Sequence, residues 1–252
     1  MDTLQERSPA PPNLVGPTLV LVWLALGAAL VRAPQVPVLT FAFVMTGWVL
    51  AVAVHEFGHA ITAYAAGDHT VRAKGYLTFD PRRYTDLGVS VVIPLIALAL
   101  GGIGFPGGAV YLREDLMRSR LWRSAASLAG PLGTLVVLVV LTRAMAMAAG
   151  ASLPLYDALA FLAFLQATAL VLNLLPIPGF DGYGVIRPFL PRAIAEALAP
   201  IEGIAALVFL GLLFFVPFAG ALLFGLSFAI TQAMGAPMHA VQAGWQAFRF
   251  WT

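Results

Sequence analysis

Cysteine is absent from the 252 residues, and charge is scarce: 14 Lys and Arg with 12 Asp and Glu make up 10% of the chain, where soluble domains carry about 25%. The missing thiols exclude disulfides, zinc ribbons and thiol nucleophiles, and leave the redox compartment open. The missing charge excludes a water-wetted surface. With 60% hydrophobic residues and a mean hydropathy of +0.89, the chain has the lipid bilayer as its main solvent. The net charge of +2 comes with no basic stripe, which excludes nucleic acid as a partner. Residues 1–13, MDTLQERSPAPPN, lack the basic region and small-residue cleavage site of a signal peptide and read as a short disordered tail. No repeat, heptad run or large soluble segment is present.

What the chain does have is long apolar runs. A membrane-crossing helix needs about 20 apolar residues. Leu14 to Val31 is the first candidate, closed by Arg32 and Pro34. Val38 to Ala66 is the second, unbroken except for His55, Glu56 and His59. Asp68 to Asp86 is polar. Leu87 to Leu112 is apolar again, but Pro94 interrupts it and Gly101 to Gly108 reads GGIGFPGG. Ser124 to Ala149 and Asp157 to Pro176 follow. Ile201 to Met234 is too long for one upright span: it is a single tilted helix or a tight pair broken near Pro217. Trp23, Trp48 and Trp122 read as interfacial or lipid-facing packing, and Phe209, Phe214, Phe215 and Phe218 as lipid-facing bulk. The fold class is an all-α polytopic membrane protein with about five or six transmembrane helices.

The arginines help to choose a topology. If every run crosses, Lys and Arg divide about equally between the two sides. If Leu87 to Leu112 enters and leaves on one face, Arg113, Arg118, Arg120 and Arg123 join Arg7, Arg72, Lys74, Arg82, Arg83, Arg187 and Arg192 inside. That arrangement obeys the positive-inside rule. The glycines and proline also suit a re-entrant segment buried against protein. A re-entrant 87–112 is therefore the reading, with a crossing as the alternative.

The sharpest chemical feature is His55-Glu56-Phe57-Gly58-His59, inside the second span. Positions i and i+4 share a helix face, so both imidazoles can address one cation. Glu56 sits beside that cation, placed to handle a proton. A catalytic zinc keeps three protein ligands and one position for water. With four His and five Glu in the chain, this spacing arises by chance roughly once in a thousand such sequences. Structural histidines bonded to neighbouring helices are the bland alternative. Three ionisable residues within five positions of an apolar span argue against it.

A third ligand must come from elsewhere. His69, in the polar loop, and His239, near the end, read as surface histidines. Asp181 is the better candidate. It follows an apolar helix in the stretch Asn173 to Gly182, NLLPIPGFDG. Pro176 and Pro178 stop the helix, and Gly179 and Gly182 allow tight turns around the Asp. An Asx turn or N-cap is the competing role for it.

His55 to His59 together with Asn173 to Gly182 resembles the paired signature of the site-2 protease family of intramembrane zinc metalloproteases. A third feature, Ala129-Gly130-Pro131-Leu132-Gly133-Thr134, resembles the family's A-G-P-x-x-N segment, with Thr134 where Asn is usual. The resemblance covers about residues 38 to 190. It implies one zinc ion per chain held by His55, His59 and Asp181, with Glu56 as general base. A polar contact to substrate or oxyanion would fall to Asn173 or Thr134, although Asn173 is as readily a helix–helix hydrogen bonder. The resemblance also implies a β-hairpin or sheet after the first motif, for which Gly75 to Phe79 and the 87–112 region are candidates.

The implied organisation is a tail (1–13), a peripheral first helix and loop (14–37), a catalytic core (38–190), and C-terminal transmembrane segments with a tail (191–252), a minimal member without PDZ or CBS domain. The implied activity is hydrolysis of peptide bonds in transmembrane segments of other proteins. The site would lie toward the cytoplasmic side of a cell membrane, and the Ala/Gly/Val/Arg-rich composition suits a bacterial source. A catalytically silent binding protein of the same fold and a metal transporter are the alternatives. Glu between the two histidines favours hydrolysis over both.

Overall fold

The computed structural model describes residues 13–84, 111–150 and 152–251. The expected re-entrant segment, 87–112, and the expected tail therefore lie almost wholly outside the described residues. The described chain is helical and contains no strand. Its longer helices are α1 (Val15–Arg32), α2 (Val38–Ala66), α3 (Arg120–Ala148), α4 (Leu153–Leu174), α5 (Asp181–Ile186), α6 (Arg192–Leu198), α7 (Glu202–Phe215), α8 (Pro217–Ala233) and α9 (Met238–Phe248). Five stretches are long and apolar enough to cross a membrane: α1, α2, α3, α4 and Arg192–Leu213. The chain is a multi-pass membrane protein.

α4 lies at the centre. It is apolar all round, as a fully enclosed helix must be, and Ala158 through Leu170 form a continuous buried run. Ser152 caps it, accepting from the Leu155 amide, a contact worth about 1 kcal/mol. α2, α3, α8 and α9 all pack on it. α1 stays at the edge and presents Val20, Leu21 and Leu24 outward, the face lipid would cover. Trp23 of α1 stacks on Phe43 of α2 at 5.0 Å.

The C-terminal run resolves into a pair. Pro217 has no amide hydrogen to extend the preceding helix, so α7 ends at Phe215 and α8 starts at Pro217. Met238–Phe248, which hydropathy leaves in the tail, is a helix set at 115° to α8. It packs on α4 through Phe248 and Trp245 against Phe161.

α2 and α3 cross in close backbone contact. A Cβ on Gly58 would lie 2.5 Å from the Ala129 carbonyl oxygen, and one on Gly133 would lie 3.0 Å from that of Val54. Small residues bring backbones together where lipid gives helices no hydrophobic reason to associate.

Gly75 to Phe79, a candidate strand, is a turn. Gly75 has φ +77°, the left-handed region open to glycine, and Thr78 Oγ1 donates to its carbonyl at 2.9 Å. Phe79 then stacks on Phe57 of α2 at 4.5 Å. No described strand lies beside it to pair with. Asp80 fixes this loop. It accepts from Asn13 Nδ2 at 3.0 Å and from two Arg82 nitrogens at 2.9 Å.

Gly58→Val should destabilise the purified protein by about 1–3 kcal/mol through overpacking, read as a lower unfolding temperature. Gly203→Val, where nothing lies within 4 Å, should leave it unchanged. The Arg82 guanidinium holds the Asp80 carboxyl down to about 2, against about 4 unfolded. Its stabilising contribution is therefore complete above about pH 4 and lost as pH falls toward 2. Asp80→Asn should flatten that part of the stability–pH curve.

Candidate metal centre

The i, i+4 spacing on α2 does what helix geometry requires of it. His55 Nε2 and His59 Nε2 lie 3.0 Å apart, on a helix face turned inward: the two residues are 8% and 6% exposed. Asp181 arrives from the far end of α4. Leu175 takes an extended conformation at the end of α4, and the chain turns through Gly179, with φ +98°. A Cβ on Gly179 would strike the Glu202 carbonyl, so that turn requires glycine. Asp181 then opens α5, with Oδ2 3.1 Å from His55 Nε2 and Oδ1 3.3 Å from His59 Nε2.

Hydrogen bonding leaves these nitrogens free to act as ligands. His59 Nδ1 is 2.7 Å from the Ala126 carbonyl oxygen, which can only accept, so the proton is on Nδ1. In the neutral ring Nε2 is then a bare lone pair. His55 Nδ1 meets Thr134 Oγ1 at 2.9 Å, which can accept from it in the same way. Such outer partners orient metal-binding imidazoles. Asp181 Oδ2 is buried, 3.1 Å from His55 Nε2.

Two imidazole nitrogens 3.0 Å apart thus converge with the Asp181 carboxylate, whose Oδ2 lies 3.1 Å from His55 Nε2 and whose Oδ1 lies 3.3 Å from His59 Nε2. Tetrahedral bonds of about 2.0–2.1 Å imply edges of about 3.3–3.4 Å, so the donor set fits a zinc-sized cation. His55, His59 and Asp181 are the group of potential metal ligands among the described residues. His69 and His239 are exposed and stand apart from it. Gly130 keeps the space open: a Cβ there would overlap His59 Nε2 and lie 2.7 Å from His55 Nε2. Pro131 follows it inside α3 and donates no amide hydrogen, which interrupts the helical ladder beside the carbonyl that His59 uses.

Glu56 is buried at 4% exposure. It lines a small cavity with His55, Thr134 and Asn173. Thr134, a candidate for substrate contact, has its hydroxyl on His55. Asn173 is buried and faces the cavity with Glu56. Sequence reasoning missed three contributors. Trp48, read as lipid-facing or interfacial, is buried and lines the same cavity, as does Gln166 of α4. Gln166 was legible as a lone amide in an apolar run. Tyr84 is the third. Burial first, and then the Glu56 charge, push its phenol up, so it stays protonated. Arg187 ties the segment that follows Asp181 to Glu114 at 3.1 Å and Glu202 at 3.4 Å.

Known proteins share this chain's sequence over most of its length. A Mycolicibacterium smegmatis protein named "Putative zinc metalloprotease Rip2" is 45% identical over 235 residues, covering 92% of this chain and 88% of that protein. The Mycobacterium tuberculosis H37Rv protein of the same name is 44% identical over 213 residues, 84% and 82% of the two chains. A Bacillus subtilis protein, the similarly named YwhC, is 30% identical over 177 residues, 67% and 78% of the two. No protein-family profile matches the chain, and no solved structure matches it significantly.

Gly130→Ala should reduce metal content, measured by elemental analysis, from about one zinc per chain to a small fraction of that. Helix content by circular dichroism should be unchanged. Asp181→Ala should weaken binding by removing one of three ligands. Full zinc retention in both variants would refute the three-ligand centre.

Proposed function

The chain belongs to the site-2 protease family of zinc metalloproteases, and from that premise we propose that it hydrolyses peptide bonds within transmembrane segments of other membrane proteins. One observation carries this reading: His55, Glu56 and His59 lie inside an apolar spanning helix, and Asp181 converges on the two histidines from the break after α4. His59 lies seven residues before the end of α2 at Ala66, about 10 Å at 1.5 Å per residue. That depth suits a scissile bond below the membrane surface. The positive loop after α2, with Arg72, Lys74, Arg82 and Arg83, supports a site facing the cytoplasm of a cell membrane. The bacterial sources of the relatives support a bacterial one.

Zinc held by His55, His59 and Asp181 supplies Lewis acidity, which makes water deprotonable near neutral pH and polarises a carbonyl. The chain's own groups do the rest. Thr134 and the Ala126 carbonyl hold the two imidazoles in the ligand tautomer. Glu56 takes a proton from the attacking water as its oxygen bonds to the carbonyl carbon. It then gives that proton to the departing amine nitrogen as the C–N bond breaks. The products are one carboxylate and one amine. Asn173, buried on the same side as Glu56, can donate its amide to the oxyanion that develops. α3 and α4 pack against α2 around the centre. A helical substrate shelters its carbonyls in i→i+4 bonds, so Gly, Pro or polar residues that loosen the target helix should favour cutting.

Glu56→Gln should lower cleavage of a transmembrane reporter about 10²–10⁴-fold, as expected for a lost general base, with zinc content unchanged. Cleavage at the wild-type rate would sink the assignment of Glu56. Cutting confined to soluble extensions of the reporter would sink the intramembrane reading.

A further inference from the structure

The cavity beside Glu56 lies between two helix stripes. Trp48, Ala51 and His55 line it from α2, and Gln166, Ala169 and Asn173 from α4. Both sets recur at the three- and four-residue spacing of one helix face. The two alanines leave a gap of about 20 Å³. A single water needs about 10–15 Å³ measured in this way, so the gap takes water and is too small for a substrate side chain.

Two of its walls carry hydrogen-bond donors with no protein partner. Gln166 is 2% exposed and Trp48 3%, and both Gln166 Nε2 and Trp48 Nε1 are buried without an acceptor. Both are N–H groups. A donor left unpaired in a low-dielectric interior is costly, and one such amide sits mid-way along the most enclosed helix of the bundle. A group with two lone pairs, small enough for the gap, answers both donors. Its own hydrogens can meet the acceptors that share the cavity, Glu56 and the Asn173 side-chain oxygen. Water meets every condition, including the two to four polar partners a buried water needs.

We propose that this cavity is a hydration site, anchored by Gln166 and Trp48, which stations a water beside Glu56 and resupplies the centre between turnovers. The inference rests on the hydrolytic reading of the centre. It makes Gln166 a positioning residue that acts through water and touches neither substrate nor metal. It also accounts for a buried amide in the middle of α4.

The test uses the full-length, zinc-loaded protein in detergent. Radiolytic hydroxyl footprinting with millisecond exposure marks side chains that adjoin bound water, whether or not bulk solvent reaches them. Trp48 should be labelled despite its burial. Gln166→Leu should reduce that labelling at least fivefold. So should Ala169→Val, which fills the gap and leaves every polar group in place. In a cleavage assay both variants should lose at least tenfold in kcat, with KM and zinc content unchanged. A purely structural Gln166 would instead give a lowered unfolding temperature and unaltered Trp48 labelling. Absence of Trp48 labelling in the wild type, or equal labelling in all three proteins, overturns the hydration site. Lost labelling with wild-type kcat overturns its role in supply. Failure of the wild type to cleave any transmembrane reporter would count against the hydrolytic reading, and the labelling would still decide the cavity.

Discussion

Between α2 and α3 there is room at Gly130 for a hydrogen and nothing larger, because the next atoms out are the Nε2 atoms of His59 and His55. The centre depends on that closeness. It lets one helix lend its Ala126 carbonyl and its Thr134 hydroxyl to the imidazoles of the other, and so sets which nitrogen of His59 carries the proton. The same approach is repeated at Gly58 and Gly133, which spreads the contact over two turns. In lipid, where apolar surface alone does not drive helices together, such backbone proximity is a main source of adhesion. Here one crossing serves both cohesion and chemistry.

α4 complements it from the other side. Its enclosure by α2, α3, α8 and α9 keeps lipid tails from the polar groups. Its end carries the chain around Gly179 to deliver Asp181. The ionisable residues are each costly in an apolar medium, and the arrangement places them so that each answers another. Two imidazoles and a carboxylate face one point, and every outward nitrogen has a polar partner.

Much of this was legible in the chain before any coordinates. The two histidines and Glu56 are local, so helix periodicity alone puts them together, and an apolar background makes them conspicuous. The helices from Val15 to Leu174 coincide with hydropathy to within a few residues at most ends. Asp181 was readable from its glycine- and proline-marked break, and its role from the family resemblance. What escaped depends on register between helices, which no single stretch encodes. Whether Trp48 faces lipid or Gln166 depends on the rotation of α2 against α4. Thr134 was visible as a departure from a pattern, but its use on His55 appears only once α3 is seated. Gly75 to Phe79 alternates like a strand and still turns, with Phe79 stacked on Phe57 and seated against Gly16 of α1. α9 was missed because its buried stripe, Ala240, Val241, Gly244 and Phe248, is too short to register as a span. An amphipathic reading at helical spacing would have found it.

Arg187 binds Glu114, ahead of α3, and Glu202, at the head of α7. As isolated energies, half-exposed ion pairs of this kind amount to little. As mechanical linkage they matter more, because the segment they grip carries Asp181 six residues upstream. The Gly179 turn rests on the same first residue of α7. One wall of the metal centre is thus suspended from helices that supply none of its ligands. Whatever tightens the grip of the centre on its ion must also tighten the seating of α7, and by reciprocity a neighbour or lipid that shifts α7 alters the affinity for the ion. The outermost helices are the part of the molecule in closest touch with the membrane around it, and through this strut the ion is sensitive to their company.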